Sequence, residues 1–187
     1  MRLDGKLVYI RPLELSDSEA LYRSRKENRA FVKPFEPLQQ EEAFTLEGIR
    51  ASIEQGHREE AQGASYAFGI FEGKSDRLVG RIRLSNIVRG AWHNATVGYY
   101  MDQSVNGRGY TTEAFGLTLR YAFEQALLHR VQAAVMPRNI ASIRVVEKNR
   151  MRFEGLAERY LKINGVWEDH RIYAMTSEEW DPNQSLR

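Results

Sequence analysis

Val97-Gly98-Tyr99-Tyr100-Met101-Asp102-Gln103-Ser104-Val105-Asn106-Gly107-Arg108-Gly109-Tyr110-Thr111-Thr112-Glu113-Ala114 is the stretch that decides how the rest of the chain is read. It opens with an apolar, aromatic run, Val97 to Met101, bounded by polar residues, which is the composition of a strand. A loop with two glycines follows, Asn106-Gly107-Arg108-Gly109. Thr111-Thr112-Glu113-Ala114 then predicts a helix start: hydroxyls as N-cap candidates, a carboxylate in the first turn, and an apolar-periodic run beyond.

Strand, glycine loop and helix N-terminus together suit an anion. Free N–H groups at a helix start point outward, and the helix dipole favours negative charge there. Gly107 and Gly109 allow close approach of the backbone, and Arg108 adds a fixed positive charge. The nucleotide-triphosphate loop is excluded, since no Lys-Ser or Lys-Thr follows these glycines. The dinucleotide pattern G-x-G-x-x-G fails at Thr112. These residues by themselves fit either a phosphate site or an ordinary strand-to-helix connection.

Working outward, Lys6 to Pro12 alternates as a first strand. Ser16 with Glu19 fits a capping box for a helix running to about Arg29. Phe31-Val32-Lys33-Pro34-Phe35-Glu36-Pro37 breaks that helix, because two prolines forbid regular helix and restrict the residues before them. Its phenylalanines read as core plugs. Glu36, between Phe35 and Pro37, reads as a base or an amine-binding carboxylate at a substrate mouth. Glu41 to Glu60 is helix-prone, with Phe44, Ile49 and Ile53 as its seam. Ser65–Phe71 and Leu78–Val88 form a hairpin, with Arg83 on a solvated face.

Beyond the central stretch, Phe115, Leu119, Ala122 and Ala126 recur at helical spacing. Val131–Val135 is a strand, and a helix carrying Ile143 and Val146 starts near Asn139. Arg159–Ile163 and Val166–Ala174 flank Asn164-Gly165, a strong hairpin signal. Trp180 packs the tail down, and Asp181 to Arg187 reads as frayed. The order is strand, two helices, three strands, helix, strand, helix, hairpin. That predicts one α/β domain over residues 1–187, a mixed central sheet flanked by helices.

Composition narrows the function. With 27 basic and 25 acidic residues the net charge is +2, which leaves no electrostatic footprint for nucleic acid. There are no cysteines, hence no disulfide framework or thiolate metal site. No His, Asp and Glu grouping has metal-ligand spacing, so no metal is expected. No apolar run approaches the roughly 20 residues of a membrane span, and the N-terminus lacks a signal-peptide core. A soluble cytoplasmic protein without membrane contact is expected.

Asn106-Gly107-Arg108-Gly109-Tyr110-Thr111 resembles the acyl-CoA pyrophosphate loop of the GNAT N-acetyltransferases, Gln/Arg-x-x-Gly-x-Gly/Ala, with Gly109 as the key match. Asn106 stands where Gln or Arg is usual, and Thr111 where Gly or Ala is usual. Arg11-Pro12 with Asp17, Asn28 to Pro37, Ser85 to Gly90 with His93, Pro137-Arg138-Asn139 with Ser142, and Asn164-Gly165 with Trp167 extend the likeness to the RimJ/RimL-type ribosomal-protein N-acetyltransferases. The RimJ type, which acetylates the N-terminal alanine of a small-subunit ribosomal protein, is the nearer. Two departures stand out: Arg150-Met151 where Gly-Phe is usual, and Val97 where an acidic residue often precedes Gly-Tyr.

The resemblance implies the GNAT fold and acetyl transfer from acetyl-CoA to a primary amine by direct attack. It implies cofactor contacts along Tyr99, Tyr100 and Met101, through Asn106, Gly107, Arg108, Gly109, Tyr110, Thr111 and Thr112, and at Asn139 and Ser142. The N–H groups of Tyr99 to Met101 would hold the oxyanion. Ser142 would lie by the CoA sulfur and Asn139 by the pantetheine. The catalytic candidates are therefore Ser142, Glu36 and Tyr99. The acceptor would be a protein N-terminus, such as that of a ribosomal protein, or a small amine, and the resemblance leaves room for a homodimer. A non-catalytic acyl-CoA-binding module is the remaining alternative. His93, His170, Glu113 and Glu154 read as structural.

Overall fold

Successive side chains of a strand point to opposite faces, and Val8-Tyr9-Ile10 is buried on both. Val8 and Ile10 enter one core, Tyr9 another. Such a strand needs helices on each side of its sheet. The computed structural model describes residues 1–181 and supplies them. Eight strands make one sheet: β1 (Leu3–Asp4), β2 (Val8–Pro12), β3 (Tyr66–Glu72), β4 (Leu78–Val88), β5 (Asn94–Met101), β6 (Arg130–Val135), β7 (Arg152–Ile163) and β8 (Val166–Thr176). Their order is β1-β2-β3-β4-β5-β6-β8-β7. Only the β5–β6 pair is parallel.

The helices are α1 (Ser18–Glu27), α2 (Arg29–Val32), α3 (Leu46–Ala61), α4 (Tyr110–Glu124) and α5 (Ile140–Lys148). The periodic residues Phe115, Leu119 and Ala122 of α4 are buried, as are Ile143 and Val146 of α5, against Ile82, Leu84 and Val97 of the sheet. On the opposite face Leu21 of α1 and Ile49 and Ile53 of α3 pack on Leu13, Phe71 and Leu78. The mixed sheet flanked by helices is the architecture the element order predicts. Asn164 and Gly165 take φ of 45° and 87°, the two left-handed positions of a tight hairpin turn.

Several local expectations are corrected. The capping box is Glu14 with Asp17, around the 3-10 turn Leu15–Asp17, rather than Ser16 with Glu19. Asp17 is held there by Arg11 at 2.7 and 2.8 Å, which pulls its carboxylate below the ordinary range despite partial burial. Glu41–Phe44 is a separate 3-10 turn, because Thr45 caps α3 by accepting from the Gly48 N–H at 3.0 Å. Arg83 is not on a bare face: α3 covers it, and Glu59 pairs with it at 2.5 Å. Phe31 and Phe35 are 40% and 38% exposed and plug no core. Trp180 does pack down, 5.6 Å from the Phe123 ring. The expectation of fraying over Asp181 to Arg187 falls, from residue 182 onward, outside the described residues.

Glu154 of β7 clamps the sheet across β8, accepting from Arg130 at 2.8 and 2.5 Å and from Arg152 at 3.0 Å. Hydrogen bonds from Arg130, then Arg152, outweigh desolvation and hold its carboxyl at about 2, against an ordinary 4.5. A carboxylate held low stabilises the fold in full above its unfolded pKa, and loses that contribution as pH falls through the folded one. Urea titrations should show stability declining from pH 4.5 toward 2, with Glu154→Gln flattening that decline.

Candidate active site

The β5–β6 ladder ends early. Parallel pairing covers Asn94↔Arg130, Ala95↔Val131 and Thr96↔Gln132 and then stops, while β5 continues to Met101 and β6 to Val135. The two strands splay into a V. On its other edge β5 stays paired with β4 to Gly80↔Met101. The Asp102 N–H donates to the Val79 carbonyl at 2.8 Å, and this sets the phase of that ladder. Hydrogen-bonded pairs then alternate, so Gly98 and Tyr100 turn their main chain toward β4. Val97, Tyr99 and Met101 turn theirs into the V. Of the three expected oxyanion donors, Tyr99 and Met101 face the opening, and Tyr100 does not.

At the mouth of the V lies the glycine loop. Asp102 caps the 3-10 turn Gln103–Val105, and the chain then passes through Gly107 and Gly109 at φ of 78° and 82°. Gly109 is itself the N-cap of α4, in place of the expected threonine hydroxyls. A glycine cap has no side chain to accept from the first turn. The N–H groups of Gly109, Tyr110, Thr111 and Thr112 consequently have no acceptor among the described residues. They form a cluster of donors at the positive end of a 15-residue helix. The loop is braced from outside: the Tyr110 hydroxyl donates to Glu72 at 2.5 Å. Glu113, read from the sequence as a structural carboxylate in the first turn, accepts from the N–H groups of Lys6, Leu7 and Val8 at 2.7 to 2.8 Å and so tethers α4 to the β1–β2 turn.

Tyr99 projects to the α4 side, edge-on to Phe115 at 5.8 Å. Burial raises its hydroxyl to about 12, and Ser142 is the polar group that acts against the rise. The two hydroxyls are thus neighbours on the α4 side of the sheet, brought there by β5 and α5, with no hydrogen bond between them. Asn139 caps α5, its Oδ1 accepting from the Ser142 N–H at 3.2 Å, which orients the first turn that carries Ser142. Two sequence candidates are brought together here, and the glycine loop lies at the end of the same opening.

Glu36 is placed elsewhere, on the side of Tyr100. Both its oxygens accept from Arg25, at 3.0 to 3.2 Å, and the pair is largely buried. The Arg25 guanidinium also lies 4.8 Å from the Tyr100 ring centre. Burial raises the Tyr100 hydroxyl to about 12 as well. The Glu36 carbonyl accepts from the Asn164 N–H at 3.0 Å, and Arg138 donates to the Pro34 carbonyl at 3.1 Å while pairing with Glu168 at 2.6 Å. The Phe31–Pro37 segment is thereby fastened to the β7–β8 hairpin and to the loop before α5, forming a wall beside the V. Arg25 was given no role in the sequence reading, and Arg138 entered only as part of Pro137-Arg138-Asn139; neither ion pair was foreseen.

The remaining candidates are structural. The His93 carbonyl accepts from the His129 and Arg130 N–H groups, which starts the β5–β6 pairing. His170 is buried with a ring nitrogen 2.9 Å from the Glu168 carbonyl. Among the described residues no group of three or more His, Cys, Asp or Glu could hold a metal, and no helix is long and apolar enough to cross a membrane. The Arg25–Glu36 pair makes its own prediction. Arg25→Met strands a buried carboxylate and should cost about 3 kcal/mol by chemical denaturation. Adding Glu36→Met should recover most of that loss.

Comparison with known proteins accords with this geometry. Residues 8–152 match the family model described as an acetyltransferase (GNAT) domain. A probable N-acetyltransferase of Bacillus subtilis (strain 168), YjcK, is 43% identical over 92% of this chain and 96% of its own. The ribosomal protein uS5-alanine N-acetyltransferase of Escherichia coli (strain K12) is 32% identical over 98% of this chain and 95% of its own. The structure of Mycobacterium smegmatis RimJ in complex with CoA-disulfide superposes with a TM-score of 0.90 at 29% identity, covering 95% of this chain and 86% of that one. The splayed strands, the uncapped helix start and these matches have one common meaning: the chain belongs to the GNAT family of N-acetyltransferases.

Proposed function

We propose that this enzyme transfers the acetyl group of acetyl-CoA to the N-terminal α-amine of a protein, with alanine as the leading residue and a ribosomal protein as the favoured acceptor, in the cytoplasm. The observation that carries the cofactor half of this reading is the cluster of unpaired N–H groups from Gly109 to Thr112, set at the end of an opening lined by β5 main chain. A diphosphate matches that cluster in charge and in its demand for several donors. A thioester on a pantetheine arm is an extended chain with amides, and it suits the main-chain groups of Val97, Tyr99 and Met101. The acceptor half is supported by the 32% identity to the uS5-alanine enzyme over nearly the whole chain.

The chemistry asked of the residues is modest. An α-amine, with pKa near ~8, loses its proton far more easily than a lysine near ~10.4, so no strong base is needed to free it. The amine lone pair attacks the thioester carbonyl carbon, the C–S bond breaks, and the thiolate leaves. Oxyanion charge at the carbonyl oxygen is met by the N–H groups of Tyr99 and Met101, already turned into the V. The Ser142 hydroxyl donates a hydrogen bond to the departing thiolate, and the proton released by the acylated nitrogen passes through water to that sulfur, giving the free thiol. Tyr99, neutral because its hydroxyl is raised to about 12, assists as a donor and not as a base. Glu36 takes no part in this chemistry: both its oxygens are given to Arg25, and the pair braces the Phe31–Pro37 wall.

Three experiments test this. Gly109→Glu forces a side chain into a left-handed position at φ 82° and puts a negative charge among the donors. It should abolish CoA binding by calorimetry, and unchanged affinity would remove the loop from the mechanism. Release of thiol from acetyl-CoA, measured with peptides of varied first residue, should favour an alanine-leading peptide over small amines. Turnover confined to small amines would shift the acceptor assignment. Ser142→Ala should lower kcat on the peptide about 100-fold with KM near its original value.

A further inference from the structure

Helix α5 ends in a way that its sequence makes costly. The Met151 N–H donates to the Val146 carbonyl at 3.1 Å and the Arg150 N–H to that of Glu147 at 2.9 Å. These are the paired bonds of a Schellman ending, whose left-handed residue is ordinarily glycine. Here that residue is Arg150, at φ 58°. An L side chain is strained in that conformation, so arginine brings nothing to the helix end that glycine would not supply better.

What arginine adds is a guanidinium at the rim of a cavity of about 530 Å³. The cavity reaches Gly109 and Thr112 of the donor loop, and the Asn149 side chain fixes that closeness by donating to the Thr112 carbonyl at 3.1 Å. Lys6 and Lys148 line the same space. Among the described residues the side chains of Lys6, Lys148 and Arg150 have no ion-pair or hydrogen-bond partner. Glu113 and Glu179, which line the same cavity, are bonded elsewhere and form no ion pair with them. Glu113 spends both oxygens on the N–H groups of Lys6, Leu7 and Val8. Glu179 pairs with Arg152 and accepts from the Thr176 N–H. Leu119, Met175 and Trp180 give the cavity an apolar side.

Cations without partners, an apolar wall and direct continuity with a diphosphate site fit one ligand class, a nucleotide carrying a further phosphate monoester. We infer that Arg150, supported by Lys148 and Lys6, binds the 3′-phosphate of coenzyme A, and that the strained helix ending is retained for this contact. This rests on the CoA reading of the glycine loop. A phosphate monoester carries close to two charges at neutral pH, and a guanidinium meets it with paired donors.

The test compares CoA with 3′-dephospho-CoA by calorimetry on the wild-type enzyme and on Arg150→Gly, with thermal melts alongside. The wild type should bind CoA about tenfold more tightly than the dephospho form. Arg150→Gly should lose most of that preference, keep its affinity for 3′-dephospho-CoA, and melt at a higher temperature because the strain is gone. Lys148→Ala should reduce the preference in part. A wild type that binds both compounds equally, or an Arg150→Gly enzyme that keeps the full preference, overturns the 3′-phosphate assignment and leaves the cofactor reading standing. A wild type that binds neither compound overturns both.

Discussion

Everything in this molecule is arranged around one unfinished ladder. Two parallel strands at the centre of the sheet pair for three residues and then part. Unpaired main chain inside a protein is costly, and most folds avoid it. Here the cost falls where an extended ligand with its own amides can lie between the strands. Helices α4 and α5 cover one face of the sheet, with Phe115, Ile143 and Val146 in its core.

The second uncompensated element is the start of α4. A serine or threonine cap would have satisfied part of its first turn. The glycine cap leaves four donors open, and the surroundings spend their own interactions on rigidity instead. Glu113 and Glu72 both bond outward, to the β1–β2 turn and to Tyr110, and Asn149 ties the end of α5 to the same turn of helix. Donors held this way need little rearrangement to accept an anion, which is the physical meaning of a preorganised site.

The opposite face of the sheet carries a different load. Arg25, Arg81 and Arg83 lie under α1 and α3 with Glu36 and Glu59 as their carboxylates. Arg81 is the least compensated, with Ser52 at 3.2 Å and a buried Nε without a partner among the described residues. Desolvation accordingly pushes its guanidinium down from the ordinary value. This polar layer surrounds Tyr100, and the adjoining wall of Phe31 and Phe35 is exposed rather than buried. Aromatic side chains left in water, on a segment fastened at Pro34 and Glu36, make a rigid rim beside the opening.

Much of this was legible in the residues. Alternation and helical periodicity identified nearly every long element, because burial on a fixed face imposes its period directly on the sequence. The Asn164-Gly165 turn and the two-glycine loop were equally plain, since few other residues tolerate positive φ. Features that depend on distant partners were not. That Glu36 belongs to Arg25, that Asp17 pairs with Glu14 in preference to any partner of Ser16, and that Tyr100 faces β4 while Tyr99 faces the V are matters of register and packing. Local composition sets which conformations a segment can adopt and which groups it offers. Only the assembled sheet decides which of those groups remain unpaired, because a hydrogen bond or an ion pair is settled by neighbours that lie far away along the chain.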